Sequence, residues 1–238
     1  MADVTRKVKT PTLGAALDGR STRWSAHREA RRDDLVLAAV AAIDEHGPDA
    51  GIGDIAAAAG VSKPVLYRYF ADKADLHAAV GSWGAGVVME RLVPALFSDG
   101  TVKERVELGC DAYLAAIEEH PHVFLLLVAH RVEGDADPLA DGKAAIAAAM
   151  ARVLGDGLRE LGIDAAGAEP WAHGLVGLGL STGEWWLTRR TMSRSAVSGY
   201  LSTFVWHAFE GLAREHGLHL DDATSPLRLV DDQERSDG

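Results

Sequence analysis

Between Gly60 and Asp72 the sequence leaves the backbone little choice. Ser62 is a strong N-cap, and Pro64 stands where a first helical turn loses no internal N–H. Leu66 and Phe70 lie four residues apart and share one face of a helix. Gly60, just upstream, supplies the residue that a tight turn at positive φ requires. The spacing predicts a short helix over 62–70, packed inward through Leu66 and Phe70, with Ser62, Lys63, Pro64, Val65, Tyr67, Arg68 and Tyr69 pointing outward or sideways.

The flanking pattern is helical throughout. Leu35, Val36, Ala39, Val40 and Ile43 recur at helical spacing in a first helix from Ser25 to about Glu45, stopped by Gly47-Pro48. A second helix covers 52–59. Asp72 can cap a fourth helix that continues through Leu76, Val80, Trp83 and Val87. Thr101-Val102-Lys103-Glu104 is a capping box opening a helix to about His120, where Pro121 breaks the run. A short apolar helix follows over 122–132, then an acidic loop over 133–141. Three long helices are expected over 142–161, 169–191 and 193–216. With alanine abundant and β-branched runs scarce, the reading is an all-α fold. It divides into a flexible basic arm (1–24), a three-helix head (25–72), a larger helical domain (73–220) reached through the fourth, connecting helix, and an acidic tail (221–238).

The net charge of −11 argues at first against nucleic acid. Its distribution does not. Residues 1–73 hold 11 basic and 10 acidic groups, so all of the excess negative charge lies beyond the head. Phosphate affinity depends on local cations, and an acidic body would orient the head toward DNA. A duplex reader needs a narrow helix with a polar outer face, which 62–70 offers. Two tyrosines and two cations there suit phosphate and base-edge contacts, and Lys73 opens the next helix where N-terminal amides also favour a phosphate. The bland alternatives are packing of Tyr67 and Tyr69 and plain solvation of the cations. Arg6, Lys7, Lys9, Arg20 and Arg23 in the arm either reach DNA or have no role.

These residues carry a resemblance. Asp54-Ile55-Ala56, Ala59-Gly60-Val61-Ser62-Lys63, Leu66-Tyr67-Arg68-Tyr69-Phe70 and Asp72-Lys73-Ala74-Asp75-Leu76 resemble the signature of the tetracycline-repressor (TetR) family of bacterial transcriptional regulators, over about residues 35–80. The resemblance implies an all-helical homodimer with a helix-turn-helix head and a divergent ligand-binding and dimerisation domain. It aligns Lys63, Pro64, Tyr67 and Tyr69 with base- or backbone-contacting positions and Lys73 with a phosphate-contacting one. Arg68 falls where members vary.

The same resemblance implies a cavity among the middle helices. Trp83, Val87, Met89, Tyr113, Phe124, Leu127, Val128, Met150, Leu154, Trp171, Leu178, Trp185 and Trp186 offer an apolar lining, unless they are plain core. Few cations lie there, so the expected effector is apolar or amphipathic, such as a fatty acid or acyl thioester. Gly174, Gly177, Gly179 and Gly183 crowd one helix, each costing about 1 kcal/mol against alanine. Either a close dimer seam or room for ligand would offset them, the seam being the commoner use. Glu184 beside Trp185-Trp186 can pair with His130, Arg131 or Arg189, or emerge at the surface. Val197, Tyr200, Leu201, Phe204, Val205, Ala208, Phe209 and Leu212 form a stripe wide enough to cover the core and meet a partner, so the last two long helices are the expected homodimer seam.

Other classes find little support. The one cysteine, Cys110, excludes an internal disulfide and a cysteine zinc site, and reads as a small buried residue. The only Glu-x-x-His spacing, Glu119 to His122, is interrupted by Pro121, and no paired metal-ligand motif or nucleophile elbow occurs. No catalytic residue, cofactor or metal is expected. The longest apolar run, 123–129, is far short of a membrane span, and the expected location is cytoplasmic. The acidic charge leaves one rival: a helical interaction protein that kept the fold without DNA binding.

Overall fold

The computed structural model describes residues 15–129, 137–218 and 220, with side chains from residue 26 onward. All its regular elements are helical: α1 (Ala15–His46), α2 (Ile52–Ala58), α3 (Lys63–Leu66), α4 (Lys73–Leu96), α5 (Val102–Glu119), α6 (Pro121–Ala129), α7 (Ala140–Glu160), a 3-10 turn (Ala165–Gly167), α8 (Ala168–Arg189) and α9 (Arg194–Glu215). Arm residues Arg6, Lys7 and Lys9, the acidic tail, and His130 and Arg131 lie outside the described residues.

Two expected boundaries are corrected. The first helix starts at Ala15 rather than Ser25. Its first turn holds good helix formers (Ala15, Ala16, Leu17), but Asp18 to Arg23 are polar or glycine, so no apolar stripe marks it. The third helix is one α turn, Lys63–Leu66, rather than nine residues. The chain tightens after it, with Arg68 N–H donating to the Val65 carbonyl and Tyr69 N–H to that of Leu66.

The anticipated caps are present. Gly60 (φ +63°) ends α2 with its N–H on Ala57 O and that of Val61 on Ala56 O, the paired bonds of a Schellman turn. The Asp72 carboxylate accepts from Asp75 N–H, and Asp75 reaches back to accept from Ala71 N–H. Thr101 and Glu104 form the reciprocal box that starts α5.

One apolar cluster runs from head to body. Leu35, Val36, Ala39, Val40 and Ile43 of α1, with Ile55, Leu66 and Phe70, join Leu76 and Val80 of α4 and Val123, Leu126, Leu127 and Val128 of α6. The head therefore rests on α4 and α6 through continuous packing, which transmits displacement better than a loose linker. Behind it α4, α5, α7, α8 and α9 enclose the body. Where α4 crosses α7, Gly81 and Gly142 allow close approach: a Cβ on Gly81 would lie 2.2 Å from Pro138 O, and one on Gly142 2.7 Å from Ala85 Cβ.

Candidate functional site

In the head, Ser62, Lys63, Pro64, Tyr67, Arg68 and Lys73 are exposed, while Val65 and Tyr69 are half-buried. Tyr67 is 46% exposed, so it does not pack into α1. Tyr69 packs against the head's core and offers only its edge. The outward face is thus narrower than the sequence suggested. It is also firmly held. Arg28 of α1 donates to the Arg68 carbonyl at 3.3 Å. Arg32 lies over the Phe70 ring at 4.6 Å and donates to Asp75 Oδ1 at 2.6 Å. The Lys63 stem lies beside Gly53 of α2, where a Cβ would stand 3.3 Å from Lys63 Cε. Arg28, Arg32 and Gly53 were missed in the sequence because their partners lie 40 residues or so away for the arginines and across a turn for the glycine.

Burial tends to raise the Asp75 carboxyl, but the Ala71 N–H and the Arg32 guanidinium outweigh it and hold its pKa below the usual value. Asp75 therefore stays ionised and keeps α1, the α3 turn and α4 in register. The exposed face presents hydroxyl, ammonium and guanidinium donors on a short protruding turn. That set suits phosphate oxygens and groove edges.

Behind the head lies an apolar cavity of about 200 Å³. Trp83, Val87, Tyr113, Phe124, Leu127, Met150, Leu154 and Leu178 line it, as the sequence led us to expect. Val128 and Trp185 do not. Val128 is buried in the head-side core. Trp185 is 40% exposed on the outside of α8, because its neighbour Trp186 takes the inward position and one helical residue turns about 100°. Trp186 is fully buried core, and Trp171 lines a second cavity. Among the further wall residues of the first chamber, Cys110, His120, Lys143, Leu201, Val205 and Phe209 were not anticipated as lining. Burial and the Glu107 carboxylate push the Cys110 thiol up to about 12, so it is unreactive apolar wall. Burial also pushes the Tyr113 phenol up; it stays a neutral donor to Gly179 O at 2.7 Å.

The glycines of α8 divide. Gly179 and Gly183 face Tyr113, and a Cβ on Gly183 would meet Tyr113 Oη and Ile117 Cδ1 at 2.7 Å, so their close approach is within the subunit. Gly174 and Gly177 face open space on the outer side. Glu184 is exposed there. On this outer surface Trp185, Met192, Tyr200 and Phe204 form an apolar patch, with Tyr200 70% and Phe204 66% exposed.

Chamber and head meet at a polar joint. The His120 ring lies edge-on to Trp83, with centroids 4.9 Å apart, on the chamber wall. Its Nδ1 donates to Asp44 Oδ2 of α1 at 2.6 Å. His122 Nδ1 donates to Asp44 O at 3.0 Å, satisfying one of the carbonyls left open in the last turn of α1.

A rigid helix-turn-helix head, packed on a body that encloses an apolar chamber, defines a DNA-binding transcriptional regulator. Comparison with known proteins agrees. Residues 35–80 match the family described as bacterial regulatory proteins, tetR family, and residues 91–217 match the tetracyclin repressor-like C-terminal domain. A helix-turn-helix-type transcriptional regulator of Mycobacterium tuberculosis (strain H37Rv) is 33% identical over 211 residues, covering 88% of this chain and 90% of that protein. The transcriptional activator FasR of Mycolicibacterium smegmatis is 30% identical over 182 residues, covering 75% and 83%. The transcriptional regulator FadR of Bacillus subtilis, solved in complex with stearoyl-CoA, shares the fold with a TM-score of 0.57 at 18% identity, covering 71% and 95%. The chain belongs to the TetR family of transcriptional regulators. No single helix among the described residues is long and apolar enough to cross a membrane.

Proposed function

We propose that this protein is a cytoplasmic, ligand-responsive repressor that binds a pseudo-palindromic operator as a homodimer and releases it when an acyl thioester or fatty acid enters the chamber. The apolar chamber joined to α1 through His120 and Asp44 carries this reading. Its lining is almost wholly hydrocarbon, which suits an acyl chain, while Lys143, ion-paired with Asp137, stands at its edge where an anionic head group can approach. The stearoyl-CoA held by FadR supports the same ligand class.

Ser62, Lys63, Pro64, Tyr67 and Arg68, with the edges of Val65 and Tyr69, face the major groove, and Lys73 takes a flanking phosphate. The dimer forms through α8 and α9. A monomer seldom leaves aromatic side chains as exposed as Tyr200 and Phe204 in one apolar patch, and the open Gly174 and Gly177 beside Trp185 admit a close partner helix. Ligand would push His120 and α4 outward and change the separation of the two heads, which must match about one helical turn of DNA.

The test is fluorescence anisotropy on a labelled duplex from the gene's own upstream region, with and without stearoyl-CoA. Release by stearoyl-CoA supports the proposal; operator affinity indifferent to acyl thioesters overturns the ligand class. The activator role of FasR favours a second reading, in which ligand tightens binding, and the same titration separates the two by its sign.

A further inference from the structure

Beyond the first chamber, α4, α5, α7 and α9 enclose a second apolar cavity of about 140 Å³, which reaches Trp171, Ile163 and Leu220. The two share five wall residues: Leu96 of α4, Val106 of α5, Val153 and Leu154 of α7, and Phe209 of α9. Along α4 the first chamber extends from Trp83 to Leu96, about 20 Å at 1.5 Å per residue. The second continues from its far end, away from His120 and the head.

Empty apolar space is poor packing, and walls so poor in polar groups hold little ordered water. Arg105, the one charged side chain among the described residues lining the second cavity, turns its guanidinium to the Gly100 carbonyl. The first chamber alone is below the ~300–1,000 Å³ of ordinary ligand sites, whereas the two together reach that range. We propose that the second cavity is the terminal subsite for the methyl end of long acyl chains, and that the five shared residues form a neck which sets chain-length preference. This inference rests on the acyl reading of the first chamber and adds where a long chain ends and what measures it. Short chains fill the first chamber only. Long chains part Val153, Leu154 and Phe209 and gain the burial of their last methylenes beyond the neck.

The experiment is calorimetric binding of octanoyl-, palmitoyl- and arachidoyl-CoA to the full chain and to Val153→Phe and Phe209→Ala. Wild type is expected to bind more tightly as the chain lengthens. Val153→Phe narrows the neck and is expected to weaken arachidoyl-CoA at least about tenfold relative to octanoyl-CoA, since several methylenes lose their burial. Phe209→Ala widens the neck and is expected to raise the preference for arachidoyl-CoA, a result that stands even if the narrowed variant does not fold. Equal effects of the neck variants on all three chains overturn the subsite while leaving acyl binding intact. Failure of wild type to bind any of the three overturns the acyl reading itself, and the subsite with it.

Discussion

Asp44→Ala perturbs the joint between chamber and head without touching a chamber wall. Asp44 and His120 are 31% and 26% exposed and 2.6 Å apart. A charge-assisted hydrogen bond in such half-buried surroundings contributes about 1–2 kcal/mol, between a surface pair and a fully shielded one. At ~1.4 kcal/mol per decade this is a bias of about five- to thirtyfold. Couplings between two sites commonly amount to about 1–3 kcal/mol, so this one contact can carry much of the signal if ligand breaks it. The assay compares operator Kd with and without saturating stearoyl-CoA. The ratio of the two is expected to shrink at least about fivefold in Asp44→Ala, while operator affinity without ligand falls only modestly, since the apolar head–body cluster remains. The control is calorimetric affinity of the free protein for stearoyl-CoA, which should stay within a few-fold. A ratio equal to wild type would refute the idea that His120 and Asp44 link chamber to head.

At the α4–α7 crossing, Gly81→Ala forces a Cβ toward the Pro138 carbonyl and is expected to cost about 1–3 kcal/mol in urea unfolding. Gly86→Ala, in the same helix with nothing within 4 Å, should stabilise by about 0.5–1 kcal/mol; matching effects at the two positions would contradict the crossing geometry. The double change Tyr200→Glu and Phe204→Glu is expected to yield monomers in sedimentation velocity, and an unchanged dimer would place the seam elsewhere. Because the Asp75 pKa is lowered on folding, its contribution is present above the ordinary carboxylate value and is lost as pH falls from there through the lower folded value. The stability difference between wild type and Asp75→Asn should therefore start to shrink only below about pH 4 and disappear once the carboxyl protonates in the folded protein, and a difference independent of pH would count against the Arg32–Asp75 lock.

Local chemistry made the head legible. Gly60, Pro64 and the Asp72–Asp75 pair each specify a turn or cap within four residues, and the structure uses them so; Ser62 takes the N-cap position, but its side chain makes no capping hydrogen bond. The length of α3 was not legible, because the turn after Leu66 is held by Arg28 and Arg32 from a helix 40 residues earlier. The start of α1 escaped for the opposite reason: the run from Asp18 to Arg23 is polar or glycine and carries no apolar period. In the body, composition announced an apolar interior but not which face looks inward. Trp185 and Trp186 are neighbours of equal hydrophobicity, and only packing of α8 against α5 sends one outside and the other into the core. His120 stood in the sequence only as the end of a helix before Pro121. Its use emerges only when Asp44, 76 residues away, comes within 2.6 Å.

On the proposed reading the exposed turn around α3, with Lys73, grips DNA. The most direct test of that grip is a salt titration of operator binding for wild type, Tyr67→Ala and Lys73→Ala. Wild-type log K should fall linearly with log salt; Lys73→Ala should lower that slope by about 1.8, the loss of one phosphate contact from each subunit of the dimer, and Tyr67→Ala should weaken binding at every salt. Dimers of all three that bind the operator with equal affinity and equal slope would contradict the account.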